Sequence, residues 1–74
     1  MMANGGFADF LRDTRASRHQ TQSEAAVEVG VHRITWARWE QGLFPGRDYL
    51  LKIADWAGVT VDSLRPYFKV SANG

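Results

Sequence analysis

The chain has 74 residues, enough for one small domain and too few for two, and such a domain buries only ~60% of its unfolded surface. Nine Lys and Arg stand against eight Asp and Glu, leaving a net charge of +1. There is no cysteine, which excludes a disulfide framework and a thiolate metal site; the two histidines alone make a poor metal cage, so neither metal nor cofactor is expected.

No apolar run approaches the ~20 residues of a membrane span, and no signal peptide is legible. Together with the lack of cysteine, this points to a cytoplasmic setting. The distribution of charge matters more than its sum. Between Arg12 and Arg38 lie five arginines against Asp13, Glu24 and Glu28, with His19 and His32 as further positive groups. This mild basic bias permits nucleic-acid binding without requiring it.

Residues 1–6 and 69–74 read as disordered tails around a domain spanning 7–68. Five short helices follow in order, with no strand signal of similar strength. The first is expected from Phe7 to Arg18, with Phe7, Phe10, Leu11 and Thr14 on one stripe and His19 as its stop. The second begins at Thr21, whose hydroxyl and Glu24 form a capping box; Ala25, Ala26 and Val29 face inward and Gly30 ends it. The third runs from His32 to Gln41 and stops at Gly42. Ile34, Thr35 and Trp36 are poor helix formers, so packing must hold it.

Leu43 to Gly46 is a loop, because Pro45 cannot continue the third helix. The fourth helix spans Arg47 to Ala57, with Leu50, Ile53, Ala54 and Ala57 inward and Gly58 as terminator. A fifth, Val61 to Tyr67, is capped by Thr60 and packs Val61 and Leu64. The expected fold is a compact all-α bundle.

The third helix carries the chemistry. Arg33 and Ile34 lie in its first turn and Arg38 one turn further, while Trp36 is the residue to bury. In a major groove, Arg pairs bidentately with guanine O6 and N7, and an aliphatic group touches a thymine methyl. Any surface helix carries arginines, so this alone is ambiguous. The small Ala26 four residues before Gly30, followed by Val31 and the arginine-bearing helix, makes the combination more specific.

Thr21 to Gly42 resembles the helix-turn-helix of Cro/lambda-repressor-type (Xre family) DNA-binding domains. The likeness is strongest at Gly30-Val31-x-Arg33 and Arg38-Trp39-Glu40-x-Gly42. It extends upstream to Leu11-Arg12-x-x-Arg15 and downstream through Leu50 to Ala54 and Gly58 to Leu64. The resemblance implies a five-helix lambda-repressor-like fold and a sequence-specific regulator of transcription, often a repressor, encoded by a prokaryote or phage and nucleoid-associated. It assigns base reading to Arg33, Ile34 and Arg38, and phosphate contact to Gln22 and His32. Arg47 either reaches the DNA backbone or is a solvated charge. Arg15 and Glu40 correspond to a structural salt bridge rather than to catalytic groups.

The departures from the family matter too. Thr14, Gln20 and Ala25 stand where it usually has larger apolar residues, while Phe10, Val27, Leu43, Phe44 and Trp56 are apolar where it is often polar, basic or small. Trp56, Tyr67 and Phe68 are therefore candidates for a homodimer interface, or else fill a thin core. Leu43 and Phe44 offer a protein-partner surface, and an antitoxin or adaptor on the same fold is the alternative to a double-stranded-DNA reader. Enzyme readings fail on inventory: no nucleophile elbow, phosphate loop or metal-spaced ligand set is present, and Asp9 with Asp13 is better read as a solvated face.

Overall fold

The computed structural model describes residues 6–67. The two expected tails, apart from Gly6, and the interface candidate Phe68 lie outside them. Four α-helices follow one another: α1 (Phe7–Ser17), α2 (Gln22–Val29), α3 (Arg33–Glu40) and α4 (Arg47–Ala57). A 3-10 helix, Asp62–Tyr67, closes the described chain. Every regular element among the described residues is helical.

Local chemistry sets the helix borders. Gly6 precedes α1 in extended conformation. α1 ends where His19 turns to φ 56°. At the start of α2, Thr21 Oγ1 accepts from the Glu24 N–H at 3.1 Å and Glu24 Oε1 accepts from the Thr21 N–H at 2.8 Å. These two bonds satisfy donors that every helix start leaves open. Gly30 follows α2 at φ 89°, and the N–H groups of Gly30 and Val31 both return to the Ala26 carbonyl. That reversal produces the tight turn into α3. His32 caps α3 with Nδ1, which accepts from the Ile34 N–H at 3.3 Å.

The core unites all five elements. Phe7 and Leu11 of α1, Ala25, Ala26 and Val29 of α2, Trp36 and Trp39 of α3, Ile53, Ala54 and Trp56 of α4, and Leu64 are buried together. Rings supply much of its volume. Trp36 meets Trp56 edge-on at 4.9 Å between centroids and Trp39 at 5.7 Å, while Trp39 adjoins Tyr49 at 5.6 Å. This packing explains how a segment of β-branched and aromatic residues stays helical in α3.

Two expectations are corrected. Trp56, a candidate for a homodimer interface or else for the core, is only 6% exposed and belongs to the core. Its indole Nε1 donates to Gln20 Oε1 at 3.0 Å, and the Arg18 guanidinium lies 5.5 Å from its ring. The buried faces of α2 offer only alanines and Val29, so the Trp36–Trp56 pair supplies the missing bulk, and Gln20 satisfies the indole N–H of Trp56 that this brings inside. Val61, expected to pack, is 40% exposed because the terminal helix begins at Asp62 and Val61 remains in the turn before it. Tyr67 is half-buried against Phe7 at 5.6 Å and Phe10 at 5.5 Å.

Candidate nucleic-acid interface

At 100° per residue, α3 separates two faces. Trp36, Trp39 and Glu40 are buried, whereas Arg33, Ile34 and Arg38 are exposed. Ile34 and Arg38 lie opposite the buried stripe, and Arg33 flanks them at the first turn. The guanidinium groups of Arg33 and Arg38 form no ion pair or hydrogen bond among the described residues, and neither does Arg47 at the start of α4. Ile34 is 48% exposed between the two arginines. An apolar side chain flanked by two unpartnered forks is a surface suited to base edges.

Behind this face stands a buried carboxylate. Arg15 of α1 grips Glu40 with both prongs, Nε to Oε2 at 2.7 Å and Nη2 to Oε1 at 3.1 Å. Gln22 Nε2, from the first turn of α2, donates to Oε1 at 3.1 Å, and the Trp36 indole donates to Oε2 at 2.6 Å. Arg12 adds a bond from Nη2 to the Glu40 backbone oxygen at 3.0 Å. Three helices thus converge on one side chain of α3. Burial pushes the Glu40 carboxyl up, but donors from Arg15, Gln22 and Trp36, with the Arg15 charge, outweigh it and hold it below the usual carboxylate range. The hydrogen bond to Glu40 raises the Arg15 guanidinium further, against a smaller opposing effect of its own burial.

The bond to Glu40 bears on Gln22. A side-chain amide has two N–H donors. One is held by Glu40, which orients the half-buried group and leaves the second for another acceptor. Neither this bond nor that of Trp36 was read in the sequence. The four-residue spacing of Trp36 and Glu40 was the available signal for the second; the first spans eighteen residues and left none. His32 is exposed beside Arg33, with Nδ1 engaged in the cap. Leu43 and Phe44, in the loop after α3, are 58% and 56% exposed, although the Phe44 ring lies 6.0 Å from Phe7.

Residues 7–67 match the family model described as a helix-turn-helix domain. The chain belongs to the helix-turn-helix family. No curated protein and no solved structure matches it. Within this helix-turn-helix domain, α2 and α3 form the motif proper, the Gly30 turn sets their angle, and α3 is the second helix, the one that enters DNA in such motifs. The match agrees with the Cro/lambda-repressor-type resemblance of the sequence motifs, and the architecture is that of a DNA-binding regulator.

Proposed function

We propose that this helix-turn-helix domain is a sequence-specific double-stranded-DNA-binding regulator of transcription, of repressor type, that reads the major groove with residues 32–41. The observation carrying the reading is the exposed, unpartnered Arg33–Ile34–Arg38 face on a helix whose other side is locked into the core. Gln22, His32 and Arg47 contact phosphates, which position the domain without specifying sequence. The protein is a binding module rather than an enzyme, needs no cofactor, and works in the cytoplasm. Among the described residues, no helix is long and apolar enough to cross a membrane.

On DNA it acts as a homodimer, with reading helices ~34 Å apart on a two-fold symmetric site. Trp56 is engaged within the monomer, which leaves the half-buried Tyr67, and Phe68 beyond the described residues, as the candidates for the pairing surface. Selection of bound duplexes from a random pool at ~150 mM salt tests the whole reading. Enrichment of an inverted repeat supports it and measures the half-site spacing. An unselected pool, with the protein shown to be folded, overturns it.

The exposed Leu43–Phe44 loop favours one second reading, a protein-interaction module such as an antitoxin or adaptor. Binding through that loop would resist rising salt, whereas phosphate-driven binding weakens steeply.

A further inference from the structure

From the chemistry of the α3 face we infer the composition of the half-site: two guanines about two base-pair steps apart, with a thymine methyl beside the guanine read by Arg33. This rests on the DNA-reading function proposed above and specifies its ligand.

The exposed residues of α3 present donors and apolar groups only. The one carboxylate of α3, Glu40, is turned inward and occupied by Arg15, Gln22 and Trp36, so the exposed side chains of α3, Arg33, Ile34 and Arg38, offer no acceptor for a cytosine amino group. Arg33–Glu40 contains no Asn or Gln, the residues that pair bidentately with adenine, and Gln41 stands past the last turn as its C-cap. Two free guanidinium forks remain, and the base edge presenting two adjacent acceptors to such a fork is guanine.

Arg33 and Arg38 are five residues apart, about 7.5 Å along the helix axis, which corresponds to about two base-pair steps at 3.4 Å each. Ile34 adjoins Arg33 and is held outward by the cap at His32 and by the burial of Trp36. Its side chain therefore meets the base pair next to the guanine read by Arg33. The thymine methyl is the apolar group available there.

The test alters the DNA and leaves the folded protein untouched. Duplexes enriched from the random pool are remade with 7-deazaguanine, which lacks the N7 acceptor, or with deoxyuridine, which lacks the methyl. Each guanine replacement should weaken binding about five- to 150-fold, and the thymine replacement about fourfold. In Arg33→Ala and Arg38→Ala each guanine effect should vanish at a different position, and in Ile34→Ala the methyl effect should vanish. A folded protein that retains no duplex would sink the DNA-reading function itself. Duplexes retained with no guanine pair, or with affinity unchanged by the analogues, would leave that function standing and overturn the half-site. An Arg38→Ala variant weakened equally on every sequence would overturn it as well, by making Arg38 a phosphate contact.

Discussion

Glu40 gathers four side-chain hydrogen bonds from Arg15, Gln22 and Trp36 onto two oxygens, with its side chain only 5% exposed. A charge in that position is tolerable only while its partners are in place. Glu40→Ala strands the Arg15 guanidinium and is expected to cost ~3–5 kcal/mol, read as a lowered urea midpoint. The same site makes stability depend on acid. Because the folded carboxyl titrates below its unfolded value of about 4.3, its contribution is complete above that pH and is lost as pH falls through the folded value. Urea midpoints measured from pH 7 down to pH 3 should therefore decline at the acid end, and Glu40→Gln should flatten the decline. Trp56 is the second residue on which the interior leans. Trp56→Ala removes an indole packed on Trp36 and strands Gln20 Oε1, with an expected loss of ~3–5 kcal/mol in the same assay.

Among the elements, the α2–turn–α3 unit depends on two local devices, and each can be removed without opening the core. Gly30 holds φ 89° with no atom within 4 Å of where a Cβ would sit. Gly30→Ala therefore meets backbone strain and no clash, for ~1–2 kcal/mol. Thr21→Ala deletes one half of the capping box and is expected to cost ~0.5–2 kcal/mol, with Thr21→Ser restoring most of it. Thermal unfolding of the three variants checks both values. A larger Gly30 effect on DNA affinity than on stability would show that the angle between α2 and α3 matters beyond holding the fold together.

At the scale of the whole molecule, a net charge of +1 sets the electrostatics of association. The loop after α3 exposes the apolar Leu43 and Phe44, which carry no charge to pair with a phosphate. Each phosphate contact should add about 0.9 to the magnitude of the slope of log affinity against log salt. Arg47→Ala should reduce its magnitude by about one while leaving the selected sequence unchanged. Titrations between 50 and 200 mM salt measure this directly.

What could be read from the chain without its tertiary structure was what neighbours within about four residues decide. The capping box at Thr21, the glycine stops at 30, 42 and 58, the left-handed His19 and the span of α4 are all set by bonds that close over one turn. The outward face of α3 was legible for the same reason, since periodicity alone opposes Ile34 to Trp36. Contacts distant in sequence decided the rest. Trp56 stayed open between an interface and the core because its partner, Gln20, stands 36 residues away and an apolar residue on a helix flank carries no mark of what will cover it. Arg15 was matched to Glu40 across 25 residues only through the family resemblance, and Gln22, eighteen residues from Glu40, carried no signal at all, so only the packing of three helices shows that one carboxylate gathers both onto α3. Local hydrogen bonds close before the chain has a tertiary shape. Burial and buried charge pairing exist only once it does.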